Sequence, residues 1–228
     1  VPKMKKFLVI FRGINTEYYD PNNINKKDRS KFFSKLNIEP GKKIILLPGR
    51  LTSWKGQELL IEALNILKTN FGYKNFVAII LGSDQGRDTY KKKLVRLVEQ
   101  HRLNNDVIFL EHANSMPIAY SIANVVVSAS IEPEAFGRVS VEAQSMKKPI
   151  IASDIGGSRE TIINNRTGLL FKSADPKSLS EKIDNIFRSD DTTLNAMGNS
   201  GRKNVEQKFN VEKMCFSTYS EYKKLINA

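Results

Sequence analysis

Two segments of the 228-residue chain combine glycine with charged side chains at spacings that suit an anion. In the first, residues 48–56, Gly49 lets the backbone turn, and Arg50 and Lys55 place two cations just before an apolar helical pattern. The free amides at the start of a helix carry partial positive charge, so cations beside them favour a phosphate. The segment is not a Walker motif, because no Gly-Lys-Ser/Thr follows a four-residue spacer. A solvated loop with incidental charges is the alternative explanation.

The second segment, residues 130–143, carries two carboxylates and a glycine. Glu134 and Glu142 are eight residues apart, and the pattern predicts a helix that begins near Phe136. Glu134 would then lie at the mouth of the helix, and Glu142, over a turn inside it, could accept hydrogen bonds from a diol. The amides without partners in such a helix belong to Gly137, Arg138 and Val139. They suit a phosphate, but acids near helix starts are common, so capping is an alternative role.

Two further loops hold residues that could contact a ligand. His112 and Ala113 follow the third predicted strand. A histidine there could act as a general base, although a single loop histidine is more often only solvent-exposed. Gly156 and Gly157 precede a short helix, where they permit close backbone approach or simply start the helix.

Each of these loops follows a short apolar run, the mark of a strand buried on both faces. Strands are predicted over residues 43–48, 76–81, 107–110, 125–128, 150–152 and 168–171. Helices are predicted over residues 56–69, 89–102, 115–122, 136–146, 176–188, 192–208 and 211–226. Residues 1–41 are less regular, with a short strand over 7–11 and a basic helix over 26–36.

Strands and helices that alternate with short connections predict an α/β fold. We expect a Rossmann-like, doubly wound parallel sheet of about six strands with helices on both faces. Ligands of such sheets bind beyond the carboxyl ends of the strands, which is where the charged and glycine-containing loops lie.

Composition narrows the possible functions. With 40% hydrophobic and 26% charged residues, the chain is globular rather than disordered, and its one cysteine excludes an internal disulfide. No apolar run approaches the roughly 20 residues that a membrane-spanning helix needs. The net charge is +12, of which the first 60 residues carry +8. Such a balance favours phosphate-rich partners, or it only keeps the surface soluble. Nucleic acid is not expected, because the chain has no zinc-finger spacing or RNP-type run.

At this point the motifs match a known family. The chain resembles the C-terminal, donor-binding half of retaining family 4 glycosyltransferases of the GT-B fold (the group 1 type). The resemblance covers essentially the whole chain, and Arg12-Gly13-Ile14-Asn15 resembles the family's interdomain linker. The motifs that carry it are Gly49-Arg50-Leu51 with Lys55-Gly56, Glu134-Ala135-Phe136-Gly137 with Glu142-Ala143, Lys148-Pro149-Ile150-Ile151-Ala152-Ser153, Gly156-Gly157 with Glu160, and Thr167-Gly168-Leu169-Leu170.

The resemblance implies catalytic roles for three residues. Arg50 and Lys55 would neutralise the diphosphate of a nucleoside diphosphate sugar as it departs, and Glu134 would bind sugar hydroxyls near the anomeric centre. Arg and Lys would replace a metal ion electrostatically, so neither a metal nor another cofactor is expected. Consistent with this, the sequence has no Asp-x-Asp motif.

The resemblance also implies the substrate-binding residues. Glu142 would bind the ribose hydroxyls, Gly49 would turn the first loop, and His112 with Ala113 would lie along the base. Glu111 stands where many relatives have glycine, which departs from the family pattern beside the base. The amides expected to hold the sugar are those of Phe136 and Gly137, and those expected to hold the phosphate belong to Arg138 and Val139. Gly156 and Gly157 would keep the floor of the cleft open.

The family context implies the remaining organisation. Residues 1–41 would be an interdomain linker, 42–210 the nucleotide-sugar-binding domain, and 211–228 a helix that packs on an N-terminal domain. That other domain would bind a saccharide or glycolipid acceptor, as in bacterial polysaccharide or lipopolysaccharide biosynthesis, and this chain alone would be inactive. We expect a cytoplasmic protein, with peripheral contact to an anionic membrane face.

Three alternatives to this interpretation stay open. The chain could be a stand-alone nucleotide-sugar-binding module that needs a separate acceptor-binding partner. It could keep the fold and run a related reaction, as a relative of starch or sucrose synthases does. A basic nucleic-acid binder would instead show steep salt dependence and no role for Glu142.

Overall fold

The computed structural model describes residues 8–86 and 88–226. Its six strands are β1 (Lys43–Pro48), β2 (Phe76–Leu81), β3 (Val107–Leu110), β4 (Val125–Ser128), β5 (Ile150–Ser153) and β6 (Leu169–Phe171). Its α-helices are α1 (Lys26–Ser34), α2 (Gln57–Thr69), α3 (Asp88–Gln100), α4 (Met116–Ile122), α5 (Arg138–Ser145), α6 (Ser158–Thr161), α7 (Pro176–Arg188), α8 (Asp191–Lys208) and α9 (Val211–Ile226). Two short 3₁₀ helices cover Pro21–Asn23 and Ser53–Lys55.

The six strands form one parallel sheet in the order β3-β2-β1-β4-β5-β6. Strand order reverses between β1 and β4, where Ile45 pairs with Val125. The predicted doubly wound α/β fold is therefore confirmed. The reversal point opens a crevice at the carboxyl ends of two central strands, because their outgoing connections lead to opposite faces of the sheet.

Helices cover both faces of the sheet. The first face packs against α2, α3 and α7, with Leu60, Leu64 and Leu94 fully buried. The second face packs against α1, α4, α5 and α8, with Tyr120 and Val205 fully buried. Strands covered on both sides are apolar at almost every position, which is why they were visible in the sequence as continuous runs.

The N-terminal segment packs onto this domain. Ile14 and Tyr19 are buried against the second face, and the amide of Ile14 donates to the carbonyl of Phe209 at 2.8 Å. Gly13 passes so close to Asn210 that a Cβ there would lie 2.2 Å from the Asn210 carbonyl oxygen. The boundary predicted at residue 41 stays a prediction, but residues 14–41 share the core of the following domain.

Two local predictions were wrong. Residues 8–11 form no strand, and Phe7 of the predicted strand lies outside the described residues. Helix α5 begins at Arg138 instead of Phe136, because Gly137 adopts φ +76° and interrupts the helical geometry. The C-terminal α9 forms as predicted and exposes Phe216, Tyr219 and Tyr222. Its packing on another domain stays a prediction.

Gly56 offers a test of how tightly the two central loops meet. Its φ is +73°, and a Cβ there would lie 1.9 Å from the carbonyl oxygen of Ala129. Gly72 has the same φ, but a Cβ there would meet nothing within 4 Å. We expect Gly56→Ala to lower the free energy of unfolding by about 3 kcal/mol or more, and Gly72→Ala by about 1 kcal/mol. Urea unfolding of both variants checks this, and equal losses would contradict the account of the contact.

Candidate active site at the carboxyl edge of the sheet

The loops that follow β1 and β4 come together at the strand-order reversal. Gly56 lies against the backbone of Ala129, and the amide of Ile131 donates to the carbonyl of Trp54 at 2.8 Å. Two segments about 75 residues apart in sequence thereby share one small volume. Glycine is required at the contact, since any side chain would push the loops apart.

This contact places Lys55 against Glu134. The Lys55 Nζ lies 2.8 Å from Oε1 of Glu134, and the two side chains are only 14% and 16% exposed. The same Oε1 accepts a hydrogen bond from the hydroxyl of Ser130. The Lys55 ammonium also lies 4.3 Å from the centre of the Trp54 ring, within cation–π range. Oε2 of Glu134 accepts no hydrogen bond from the described part of the chain.

Arg50 is held through its backbone and leaves its guanidinium free. Its carbonyl accepts a 2.8 Å hydrogen bond from the buried amide of Gln57, and the adjacent Leu51 amide donates to Ser83 at 3.0 Å. The Arg50 side chain is exposed and pairs with no carboxylate among the described residues. A fixed backbone with a free guanidinium can receive an anion without first breaking an internal ion pair.

The loop after β1 also fits closely against the loop after β2. The Gly49 amide donates to Leu81 at 2.8 Å, and a Cβ on Gly82 would lie 2.0 Å from the Gly49 carbonyl oxygen. A Cβ on Gly49 itself would lie 3.5 Å from Cδ of Lys55. The lack of a side chain at Gly82 lets these strand ends approach one another, whereas a Cβ on Gly49 would make only an ordinary van der Waals contact. Arg50 and Lys55 therefore extend from a well-packed base.

The start of α5 presents free amides at the same edge. Gly137 is its N-cap and no side chain caps the helix. Among the described residues, the amides that open the helix donate to no acceptor; they belong to Gly137, Arg138 and Val139. These donors and the positive end of the helix dipole can bind an anion.

Gly156 and Gly157 support this helix start instead of leaving a cleft floor open. A Cβ on Gly156 would lie 2.7 Å from the Glu134 carbonyl oxygen, and one on Gly157 would lie 2.6 Å from the Phe136 carbonyl carbon. The Gly157 amide also donates to Glu134 at 2.8 Å. The expectation of open space was wrong, because the glycines hold the segment before α5 by close packing.

Glu142 is buried at 6% exposure and accepts two hydrogen bonds. Its Oε2 accepts from the Tyr120 hydroxyl at 2.8 Å, and its Oε1 accepts from Nε of Arg138 at 2.7 Å. Burial and, to a smaller extent, the neighbouring Glu142 carboxylate raise the pKa of Tyr120 well above its usual value. The phenol therefore stays protonated and donates its hydrogen bond. Each carboxylate oxygen has a second lone pair, which leaves room for further donors.

Tyr120 and Ser130 are the site residues that the sequence analysis did not assign. Tyr120 lies in α4, 22 residues before Glu142, and looks like any buried aromatic residue of an amphipathic helix. Ser130 begins the segment that holds both glutamates, and its four-residue spacing from Glu134 was the only local signal.

His112 and Ala113 lie two strands away from Arg50 and Lys55, beyond the end of β3. They line a cleft of about 760 Å³ whose opposite wall includes Phe32 and Leu36 of the N-terminal segment. His112 is exposed and Ala113 is half-buried. No carboxylate contacts His112 among the described residues, which offers it no partner of the kind that orients a general base.

Lys91 fixes the outer part of this edge. Its ammonium, from α3, lies 3.2 Å from Glu111 and 3.5 Å from Asp84, which follow β3 and β2. Glu111 is exposed, and its ion pair with Lys91 directs the Glu111 carboxylate towards α3. The Glu111 carboxylate thus has a cationic partner on the neighbouring helix.

Residues 8–86 and 88–226 contain no group of three or more His, Cys, Asp or Glu side chains arranged to hold a metal ion. Within the same residues, no helix has the length and apolar character to cross a membrane.

The reversal of strand order and the open start of α5 are those of a Rossmann-like α/β domain with a ligand crevice at the carboxyl ends of its strands. The sequence profile of the family described as glycosyl transferases group 1 matches residues 28–204. The chain belongs to this family.

Individual relatives agree with that assignment. The capsular polysaccharide biosynthesis glycosyltransferase CapM of Staphylococcus aureus is 30% identical over 185 residues, which cover 81% of this chain and 46% of CapM. The structure of a glycosyltransferase from Rickettsia africae matches with a TM-score of 0.91 and 33% identity, covering 96% of this chain and 57% of that one. HepE of Anabaena in complex with UDP-glucose matches with a TM-score of 0.86 and 26% identity, covering 95% and 57%. The chain spans about half the length of the curated relatives it matches.

Proposed function

We propose that this chain binds a nucleoside diphosphate sugar and forms the donor half of a retaining, family 4 glycosyltransferase. The observation that carries the proposal is the convergence of the free Arg50 guanidinium, the Lys55 ammonium and the open amides of α5 at one edge of the sheet. These three sources supply hydrogen-bond donors and positive charge along one edge, and a diphosphate supplies the matching negative charge.

Arg50 and Lys55 act on the diphosphate as it leaves. Negative charge on the leaving group grows as the bond to the sugar breaks, and fixed cations stabilise that charge more strongly than they stabilise the ground state. Lys55 keeps donors beyond the one that it gives to Glu134, because an ammonium has three. These two residues serve in place of a divalent ion, so we propose a reaction that needs no metal and no other cofactor.

Glu134 is proposed to bind the sugar. Its Oε1 is held by Lys55 and Ser130, while Oε2 remains available to accept from a sugar hydroxyl. The amides of Phe136 and Gly137 would contact the same sugar, and those of Arg138 and Val139 the phosphate. Holding the carboxylate through one oxygen fixes the direction of the other, which positions the anomeric centre beside the two cations.

Glu142 is proposed to bind the ribose diol, and Tyr120 to position it. Tyr120 anchors Oε2 from inside the core, so the carboxylate can face the ligand without rotating. The base would lie along His112 and Ala113 at the end of β3. Three strand spacings separate β3 from β4, roughly 14 Å, which suits a ligand extended across the edge. HepE was solved with UDP-glucose, so UDP is the proposed nucleotide.

The acceptor is proposed to be a saccharide or glycolipid of bacterial polysaccharide or lipopolysaccharide biosynthesis, bound by a separate N-terminal domain at the cytoplasmic face of a membrane. CapM, a relative, is named for capsular polysaccharide biosynthesis. The second candidate is a stand-alone nucleotide-sugar-binding module. It is favoured by the observation that Arg50, Lys55, Glu134 and the open amides of α5 lie within this one domain.

Removing the Arg50 guanidinium tests the diphosphate site. We expect Arg50→Ala to weaken UDP binding by about 1.5–3 kcal/mol, roughly 10- to 150-fold, because a charge-assisted hydrogen bond is lost. The matched control is Arg166→Ala, since Arg166 is also exposed but lies before β6, at the opposite edge. Isothermal titration calorimetry measures both variants, and unchanged UDP affinity in Arg50→Ala would refute the assignment.

Substitution of Glu142 and of Glu134 should change the affinities for UDP and UDP-glucose in different ways. Glu142→Gln should weaken UDP and UDP-glucose about equally, since both carry the ribose. Glu134→Gln should weaken UDP-glucose about tenfold relative to UDP, because only the conjugate offers sugar hydroxyls. Affinities of the two ligands for each variant give the comparison by calorimetry. Equal losses for both ligands in both variants would reject this division of roles.

The chain alone is expected to bind donor without transferring sugar. Bringing two substrates together contributes up to about 7–11 kcal/mol of catalysis, and one half of a cleft cannot supply it. The chain is incubated with labelled UDP-glucose and a panel of saccharide and lipid acceptors, and the labelled product is counted. Sugar transfer by the chain alone would show that a second domain is not needed; donor binding without transfer even after the N-terminal half is supplied would favour the binding module.

A further inference from the structure

A second group of cations lies at the amino edge of the sheet, away from the donor site. A cleft of about 540 Å³ lies between α1 and the turn that follows α5. Four cations line it, and we call it the basic cleft: Lys26, Arg29, Lys147 and Lys148. The two lysines of the turn come just before β5, whereas the donor loops follow the strands. A ligand here would therefore not overlap one bound at the carboxyl edge.

Among the described residues, no acidic side chain lines the basic cleft, although Asp20 and Glu206 line a neighbouring cleft that Lys147 also borders. The other lining residues of the basic cleft are apolar or uncharged, and they include the hydroxyls of Ser30 and Ser121. Among the described residues, the side chains of Lys26, Arg29 and Lys147 form no ion pair. Four like charges around one concave surface raise the local positive potential, since concave walls of low polarisability concentrate the field.

The turn that carries Lys147 and Lys148 is rigid. Lys147 has φ +54°, and its amide donates to Gln144 at 3.0 Å. Helix α8 packs directly on the turn, because a Cβ on Gly198 would lie 2.4 Å from the Lys147 carbonyl oxygen. The Lys148 amide donates to Ala143 at 2.9 Å. Both lysines are thus presented from fixed backbone, which lowers the entropy lost on binding a ligand.

Lys148 is the most constrained of the four. Its ammonium donates to the carbonyl of Ser121 at 2.8 Å, at the end of α4. Burial, followed by the repulsion of Arg29, lowers the pKa of Lys148 to about 8. The Lys148 ammonium has no carboxylate partner among the described residues, so an anion bound nearby would stabilise its charged form.

A purely structural role explains only part of this arrangement. Lys148 satisfies a carbonyl at the end of α4, which accounts for one of its three donors. This structural role of Lys148 does not account for Lys26 and Arg29, which line the cleft from α1 and are exposed.

We propose that the basic cleft binds a phosphate-bearing anion independently of the donor site. Its two sources are a free phosphate compound and the phosphate headgroup of an anionic lipid, which offer the same chemistry to the four cations. This inference does not rest on the proposed transferase function, because it uses a different edge of the sheet and none of the donor residues.

The test uses Lys26→Ala/Arg29→Ala, which removes two exposed cations and leaves Lys148 in place. The matched control is Lys92→Ala/Arg96→Ala, an exposed lysine and arginine on α3, on the other face of the sheet, likewise without an ion pair among described residues. Inorganic phosphate is titrated into each protein, and the amide resonances of Ser30, Ser121, Lys147 and Lys148 are followed by NMR. Shifts of these four amides report phosphate bound in the basic cleft and distinguish it from phosphate bound at Arg50.

A second arm uses co-sedimentation with phosphatidylcholine vesicles, with and without phosphatidylglycerol. We expect the parent chain and the α3 control to bind phosphate in the cleft, the phosphatidylglycerol vesicles, or both. The Lys26→Ala/Arg29→Ala chain should bind about fivefold more weakly, as for the loss of two exposed ionic contacts. Phosphate binding alone identifies a free ligand, and vesicle binding identifies a lipid headgroup. Binding of neither probe, or equal losses in both double variants, would overturn the proposal.

Discussion

The backbone contact between Gly56 and Ala129 is the constraint on which the site depends. At the reversal of strand order, the connections of β1 and β4 lead to opposite faces of the sheet and leave a crevice between them. Side chains that follow these two strands can contact each other only if the two loops approach across that crevice. A glycine with positive φ permits the close approach, so that Lys55 reaches Glu134. The proposed diphosphate and sugar contacts therefore derive from one position without a side chain.

From that contact the site extends outward in two directions. Towards β3, close packing of Gly49 and Gly82 fixes the loop that carries Arg50, and Lys91 ties down the loops beyond it. Towards β5, Gly157 supports the free helix start. Backbone packing thus positions the loops at this edge, and the Arg50 guanidinium forms no ion pair with the described residues. The opposite edge of the sheet differs, because the basic cleft brings like charges together without acids of its own.

Much of this architecture could be predicted from the sequence. Strands buried on both faces appear as unbroken apolar runs, and the polar loops after them must share one edge of a parallel sheet. The same argument predicts that Arg50, Lys55, Glu134 and Glu142 lie near that edge. Motif resemblance then supplied roles that spacing alone left open.

The structural features that the sequence did not predict depend on contacts between distant parts of the chain. The Lys55–Glu134 pair joins residues 79 positions apart, and the Tyr120–Glu142 hydrogen bond joins two different helices, so neither leaves a local pattern. The start of α5 was misplaced by two residues, because φ at Gly137 is set by the packing around it. The N-terminal segment looked irregular because its order comes from burial of single residues such as Ile14 and Tyr19, without any periodicity.

The most direct test of the central claim is to map UDP-glucose onto the labelled chain by backbone NMR. The account predicts that the largest amide shifts fall in residues 49–56 and 136–142, with smaller ones at 111–113. Shifts confined to the amino edge of the sheet, or no shifts at saturating ligand, would contradict the claim that the loops joined by Gly56 form the donor site.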